Sequence, residues 1–235
     1  MARRFAAATS DTVQFAIRGL SSSTTWGPCT TVAVFAKNVD GTSDTLLSQA
    51  TSASARRSGW NINTLNLPLY YNGTTSVRAP AGNTLLAVDG WLLAAMSKDA
   101  GTVAPRFHRF VYKTGVWTSE NAATTIANGG TAGLGRWWVS GAVTVTEWMD
   151  ADIAAIAYVP RVLTDSEVQR LAGGDWSRLI PEALIHVEFP NAGDDIGRAR
   201  DSSRWRQLQV TVAGTARAPR ADPPGFRFSL TALRR

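Results

Sequence analysis

The stretch EWMDADIA contains the acidic residues whose types and spacing come nearest to those of a glycosidase. Such an enzyme needs two carboxyl groups that flank the scissile bond from one cleft. Successive side chains on a strand point to opposite faces, so Glu147 and Asp150 would diverge there. Asp150 and Asp152 could share a face, but no Glu lies in phase with them. We therefore predict that the protein has no glycosidase activity and, more generally, that it is not an enzyme.

Other catalytic and metal-binding patterns are weak. His108 and His186 lie far apart, with no Cys or carboxylate at the spacing of a zinc site. The sequence contains no Ser-His-Asp motif context, no Walker loop and no G-x-G-x-x-G motif. Cys29 is the single cysteine, which rules out an intrachain disulfide. Because free cysteines are usually buried, we expect Cys29 to be a small core residue rather than a nucleophile.

Two stretches, NVDGTSD and NAGDD, offer oxygen ligands for a hard cation such as Ca²⁺. Their candidate ligands are Asn38, Asp40, Asp44, Asn191, Asp194 and Asp195. Neither stretch has the spacing of an EF-hand loop, and Asp and Asn beside Gly usually form turns. We predict no cofactor, and a structural Ca²⁺ ion is the alternative that these residues leave.

Most of the chain has the pattern of short strands separated by turns. Segments such as TVQFAI, TTVAVFAKNV, WLLAAMSKD and RFHRFVYKTG are apolar or alternate, and stretches rich in Gly, Asn and Asp separate them. Asn72-Gly73 between two such segments is a strong turn signal. This arrangement predicts an all-β antiparallel sandwich or jelly roll.

The stretch VLTDSEVQRLAGG gives the one convincing helix signal. Thr164 and Glu167 form the T-x-x-E pattern of a capping box, and Val168 and Leu171 would share one face. The two glycines at 173 and 174 supply a left-handed stop. A helix of about two turns is not stable alone, so it must pack on the sandwich.

The net charge of +6 is concentrated near the C-terminus. Residues 196–235 contain nine arginines and two acidic residues, whereas the rest of the chain has 15 basic and 16 acidic residues. The segment is either a solvated tail or an arm that docks on an acidic partner or on nucleic acid. Prolines 219, 223 and 224 prevent a continuous helix, so we expect an extended arm. Its predicted contact residues are Arg220, Phe226, Arg227, Phe228, Leu230, Arg234 and Arg235.

Nine tryptophans form another notable feature. In a sandwich of this size most of them should fill the core. Trp137 and Trp138 are adjacent, so on a strand one of them faces outward. We expect that one to make a subunit contact, with a sugar-stacking platform as the alternative.

The segment WMDADIAAIAYVPRVLTDSEVQRLAGG resembles the closing segment of LamG-like, concanavalin A-like jelly rolls. Matches to that family's earlier strands are SDTVQFAI, DGWLLAAMSKDAG and GLGRWWVSGA, although the family's His is absent from the second. The resemblance implies a sandwich over residues 1–175, with the helix plugging one edge of the sandwich. It also gives Asp152 a structural role and brings in Ca²⁺, which many relatives bind.

Residues 176–235 resemble the segment that follows LamG-like domains in tailed-phage virion proteins. The motifs on which this resemblance depends are Phe189-Pro190, Asp201-Ser202-Ser203, LQVTVAG and ADPPG. We therefore predict a second region, 176–235, that contains short strands and the basic arm.

The resemblance implies a structural protein of a tailed-phage virion, either a head decoration or a minor tail protein. Its partners would be other virion proteins and copies of itself. It would be located in the virion, which is assembled in the host cytoplasm. The alternative is a carbohydrate-binding module or adhesin that recognises host-surface glycans. A membrane partner is not expected, because no apolar run approaches the roughly 20 residues of a membrane helix. Nucleic acid is not expected as a partner either, because the arm lacks regular aromatic interleaving. No signal for Sec export is expected either.

Overall fold

The structure is a computed structural model that describes residues 3–5, 12–17, 28–52, 55–128, 136–139, 149–176, 182–183, 185–188, 200–201 and 208–213. Side-chain contacts are described for 28–48, 59–128, 149–176, 182–183 and 185. The strands are β1 (Arg3–Phe5), β2 (Thr12–Ile17), β3 (Cys29–Lys37), β4 (Asp44–Ser52), β5 (Ala55–Ile62), β6 (Pro68–Tyr71), β7 (Ser76–Arg78), β8 (Trp91–Lys98), β9 (Arg106–Val111), β10 (Val116–Asn121), β11 (Arg136–Val139), β12 (Ala151–Val159), β13 (Ile185–Glu188), β14 (Arg200–Asp201) and β15 (Leu208–Ala213). One α-helix, α1 (Asp165–Ala172), and two short 3-10 helices, Ala81–Asn83 and Ala87–Asp89, complete the described elements.

The strands form two antiparallel sheets that face each other. Sheet A has the order β10-β9-β8-β3-β12-β13-β14, and β1 pairs with the same edge of β12 as β13 does. Sheet B has the order β15-β2-β11-β4-β5-β6-β7. Residues from both sheets, including Phe35, Trp60 and Tyr70, pack into one buried cluster between them. The predicted all-β antiparallel sandwich with one short helix is therefore confirmed.

The three central strands of sheet A are buried on both faces. Every residue of β3, β8 and β12 is buried. Alternate residues such as Ala33 and Phe35 face sheet B, whereas Val32 and Val34 belong to a second cluster on the outer face. This explains why these strands have nearly continuous apolar sequences instead of strict alternation.

Both ends of α1 are capped as the sequence predicts. The hydroxyl of Thr164 accepts a hydrogen bond from the Glu167 amide at 3.3 Å, and the Glu167 carboxylate accepts one from the Thr164 amide at 2.8 Å. At the other end Gly174 takes a positive φ of 86°. The amides of Gly174 and Asp175 donate back to the carbonyls of Leu171 and Arg170, which forms a Schellman motif.

The helix covers a face of the sandwich, and the prediction that it plugs an edge is wrong. Val168, Leu171 and Trp176 are buried against the outer face of sheet A. The physical reason is that this face is as apolar as the inner one, so it requires a cover of its own. The helix provides it.

Strands also follow residue 175. β13 pairs with β12 in sheet A, and β15 pairs with β2 in sheet B. The predicted division after residue 175 therefore falls between strands of the same two sheets. Among the described residues, no helix has both the length and the apolar character needed to cross a membrane.

Candidate functional site

The predicted interface residues fall mainly outside the described ranges. All seven arm residues, from Arg220 to Arg235, lie beyond the last described strand. Trp137 and Trp138 lie on β11, a strand inside sheet B, opposite Phe15 and Gln14 of β2. Their adjacent positions fall on opposite faces of a regular strand. The subunit contact of one of them stays a prediction.

The other described tryptophans mostly fill the core. Trp60 and Trp176 are fully buried, Trp91 is 9% exposed, and Trp117 on the edge strand β10 is half-buried. Cys29 is also fully buried, and burial raises the pKa of its thiol to about 12. A thiol that stays protonated is a poor nucleophile, as expected from the sequence.

The structure describes two of the three acidic residues that were compared with a glycosidase pair, Asp150 and Asp152. Asp152 is completely buried in β12. Asp150 accepts a hydrogen bond from the Asn38 side chain at 2.8 Å, and its carbonyl accepts one from the Asn38 amide at 2.9 Å. Asp150 thus joins the start of β12 to the end of β3. Glu147 lies outside the described residues.

A hydrogen-bond network around the buried His108 was not predicted from the sequence. Ser97 Oγ lies 3.3 Å from His108 Nε2, and Ser119 Oγ lies 2.9 Å from His108 Nδ1. Ser119 also donates to Asp165 Oδ1 at 3.1 Å, and Arg106 holds both oxygens of the Asp165 carboxylate. These residues come from β8, β9, β10 and the first residue of α1. The network fastens the helix to sheet A.

Ser97, His108 and Asp165 lie next to one another in the spatial order of a catalytic triad, but their surroundings do not suit catalysis. His108 Nδ1 lies 3.6 Å from Asp165 Oδ1, yet Ser97 is only 3% exposed and its hydroxyl is within 3.0 Å of Thr30 Oγ1. Burial lowers the pKa of His108 to about 4, with Asp165 opposing the shift. A substrate carbonyl cannot approach so buried a hydroxyl. No local motif could have revealed the network, because its members are separated along the chain.

Two lysines close the two ends of the space between the sheets. Lys98 ends β8, and its ammonium donates to the carbonyls of Asp99 and Gly101 and to Asn128 Oδ1 at 2.6–2.9 Å. Lys37 ends β3 at the opposite end. Its ammonium donates to Asn66 Oδ1 at 2.8 Å and lies 3.4 Å from Asp44 Oδ2.

Two of the residues proposed as Ca²⁺ ligands, Asp40 and Asp44, therefore lie beside a lysine. Asp40 Oδ1 lies 3.9 Å from Lys37 Nζ, and Asn38 is bonded to Asp150. Within the described residues, no group of three or more His, Cys, Asp or Glu residues could hold a metal ion. Asn191, Asp194 and Asp195 lie outside the described ranges. The donors around Lys37 do not fit a metal while its ammonium is there.

An open groove runs along the edge of sheet B. β7 is the edge strand, and cavities of about 340 and 390 Å³ meet at Arg78 and Ala123. We call this the edge groove. Its lining residues are Asn63, Leu65, Leu67, Leu69, Ser76, Val77, Arg78, Ala79, Pro80, Ala81, Ala123 and Thr124.

The edge groove combines apolar walls with a single charge. Arg78 is exposed and is the one charged residue of the lining. No acidic group of the described residues pairs with it. Leu65 is 59% exposed. Asn63 uses its Oδ1 to accept hydrogen bonds from the amides of Leu65 and Leu67, which leaves its Nδ2 to face other partners.

The backbone of β7 also faces the groove. In the β6–β7 hairpin the Ala79 amide donates to the Pro68 carbonyl, and the Asn72 amide donates to the Thr75 carbonyl across the turn. This pattern places Leu69 opposite Arg78 and Tyr71 opposite Ser76 at non-hydrogen-bonded positions. The amides and carbonyls of Ser76 and Arg78 consequently point away from β6. The groove therefore offers backbone donors and acceptors beside the guanidinium.

Comparison with known proteins shows the fold. No protein-family model matches the chain, and no curated protein matches it in sequence. A proposed carbohydrate-binding protein from Bacteroides ovatus ATCC 8483 superimposes with a TM-score of 0.62 at 11% identity, over 94% of this chain and 60% of that one. This chain thus spans less than two thirds of that protein's length.

Two further solved structures are similar over smaller parts. The LG4-5 domains of the mouse laminin alpha1 chain match with a TM-score of 0.48 and 12% identity, over 70% of this chain and 43% of that one. Tailspike protein 2 of Escherichia coli O157:H7 bacteriophage CAB120 matches with a TM-score of 0.46 and 15% identity, over 79% of this chain and 26% of that one. The superposition on the Bacteroides protein shows the fold alone, an antiparallel all-β sandwich that has one short α-helix among the described residues.

Proposed function

We propose that this protein is a non-enzymatic carbohydrate-binding sandwich that holds a glycan in the edge groove. The observation that carries the proposal is Arg78, an exposed guanidinium with no acidic partner among the described residues, set between two adjoining cavities. The structurally similar Bacteroides protein is itself proposed to bind carbohydrate, which supports the same class of ligand.

The chemistry of the lining suits an acidic sugar. A guanidinium binds a carboxylate through two parallel hydrogen bonds, so Arg78 selects a glycan that contains uronic or other acidic residues. Asn63, Ser76 and Thr124 can bond sugar hydroxyls, and Leu65 and Leu69 offer apolar surface to the ring faces. An open groove at a sheet edge admits a chain that continues beyond the site.

The test measures binding of polygalacturonate and of a neutral galactan by affinity electrophoresis and calorimetry. Arg78→Gln should weaken polygalacturonate binding about 10- to 100-fold, because a charge-assisted hydrogen bond contributes about 1.5–3 kcal/mol. Lys113→Gln, in the exposed turn after β9, is the matched control and should bind like the wild type. Failure to bind any acidic or neutral glycan would refute the proposal.

We propose as the second candidate a structural role in a tailed-phage virion. The resemblance of residues 176–235 to segments of tailed-phage virion proteins favours it. Under this proposal the basic arm joins copies of the chain or other virion proteins, and Trp137 or Trp138 contributes a subunit contact. Both roles can coexist on one particle.

Mass spectrometry of purified phage particles, separated into heads and tails, tests the virion role. Detection at a stoichiometry above one copy per particle would support a decoration or tail protein. Absence from both fractions would refute it while leaving the glycan experiment unaffected.

A further inference from the structure

The loop between β3 and β4 is organised around a positive charge that the chain supplies itself. Lys37 stands two residues after Phe35, on the face of sheet A that meets sheet B, and its side chain is 0% exposed. Its ammonium is surrounded by Asn66 Oδ1 at 2.8 Å, Asp44 Oδ2 at 3.4 Å and Asp40 Oδ1 at 3.9 Å. All three are oxygen atoms of the kind that hard cations prefer.

Two of these oxygen atoms, those of Asn66 and Asp40, also accept a hydrogen bond from a backbone amide. Asn66 Oδ1 accepts a second hydrogen bond, from the Gly41 amide at 3.0 Å, and Asn66 holds a positive φ of 59°. Asp40 Oδ1 accepts from the Ala87 amide at 2.9 Å. The cation is therefore the shared centre of three loops, which is the structural role that a bound metal ion performs in other proteins.

The negative charge around Lys37 exceeds the charge of one lysine. Asp44 has a side chain only 2% exposed, and its Oδ1 has no hydrogen-bond partner among the described residues. Burial raises the pKa of Asp44, and Lys37 opposes that shift. Asp150 lies close enough to raise the pKa of Asp44 as well. Removal of the ammonium would leave buried oxygen atoms facing each other without a cation.

We infer that Lys37 replaces a divalent cation at this end of the sandwich, so that the loops are held without a metal. The oxygen atoms around Lys37 are of the kind that a hard cation prefers, but they do not fit an ion while the lysine is present. The inference makes two claims. The site around Lys37 binds no divalent cation in the wild-type protein, and it accepts one once the ammonium is removed.

The test compares thermal unfolding of the wild type, Lys37→Ala and Lys37→Ala/Asp44→Asn, each with EDTA and with millimolar CaCl₂. The wild type should show the same Tm under both conditions. Lys37→Ala should lose about 10 °C in EDTA, because an uncompensated buried carboxylate is strongly destabilising, and should recover several degrees in CaCl₂. The double variant has the same cavity without the Asp44 charge, and its Tm should not respond to CaCl₂.

Three results would overturn the inference. The first is a wild-type Tm that falls in EDTA while the Tm of Lys37→Ala/Asp44→Asn does not. The second is a Lys37→Ala protein that is folded but gives the same Tm with and without CaCl₂. If Lys37→Ala does not fold in EDTA, refolding on addition of CaCl₂ supports the inference, and failure to refold while the double variant folds refutes it.

Discussion

His108 should make the stability of the sandwich depend on pH between 5 and 7. Burial is the main cause that lowers the pKa of His108 from its ordinary value of 6.5 to about 4, and the nearby Arg106 guanidinium acts in the same direction. In the unfolded chain the imidazole takes up a proton near pH 6.5, whereas in the folded protein it does so only near pH 4. The unfolded state therefore binds more protons in this interval, and stability falls as the pH is lowered from 7.

The size of the effect follows from the two pKa values. The full difference corresponds to about 3 kcal/mol, and about 2 kcal/mol of this should be lost between pH 7 and pH 5. The interval lies above the pKa values of Asp165 and Glu167, which their arginine partners and hydrogen bonds hold below the usual range. Those two carboxylates therefore contribute little to the slope there.

The assay is urea unfolding at pH 7, 6 and 5 of the wild type and of His108→Gln. The variant loses hydrogen bonds to Ser97 and Ser119, so it should be less stable at pH 7. The difference in unfolding free energy between the two proteins should shrink by about 2 kcal/mol between pH 7 and pH 5. Groups that titrate in the same way in both proteins cancel in this difference. A difference that is constant over the interval would show that His108 is not held neutral by burial.

Three further expectations concern the helix, the acidic residues and the arm. Thr164→Ala removes the N-cap of α1 and should cost about 1 kcal/mol in denaturant unfolding, whereas Gln169→Ala on the exposed face should cost little; equal effects would contradict the capping argument. No glycan in a panel of host polysaccharides should be hydrolysed, and an activity that disappears in Asp150→Asn or Asp152→Asn would reverse this expectation. Truncation after Gly214 keeps β15 and should give a folded protein that no longer joins the particle or oligomer; normal incorporation would show that the arm is a solvated tail.

Local patterns were sufficient to predict the elements but not their assembly. The capping box, the apolar face of Val168 and Leu171 and the glycine stop all lie within one short stretch, and all are found in α1. The Asn72-Gly73 turn likewise depends on adjacent residues. The helix position was missed because apolar residues on both faces of β3, β8 and β12 do not tell which face needs an additional cover.

The buried polar groups could not be predicted because their partners are remote in sequence. Lys37 meets Asn66 from a separate loop, and His108 meets Ser97 and Asp165 from a strand and a helix. In the sequence Lys37 is a charge at the end of an apolar strand, a position at which solvent exposure is the usual outcome. The edge groove was also missed, since Arg78 is the last residue of the short strand β7 and nothing in the adjacent sequence indicates that it has no acidic partner among the described residues.

The pairing of β2 with β15 has a consequence for how the protein folds. Six residue pairs join Thr12–Ile17 to Leu208–Ala213, so a strand near the start of the chain needs one of the last described strands to complete its ladder. Such a contact closes a very long loop, and its entropy cost must be met before the pairing stabilises anything. During synthesis β2 emerges early and has an unpaired edge until β15 leaves the ribosome. The interval in which this edge can pair with another nascent chain is therefore set by the time needed to translate the segment from β2 to β15.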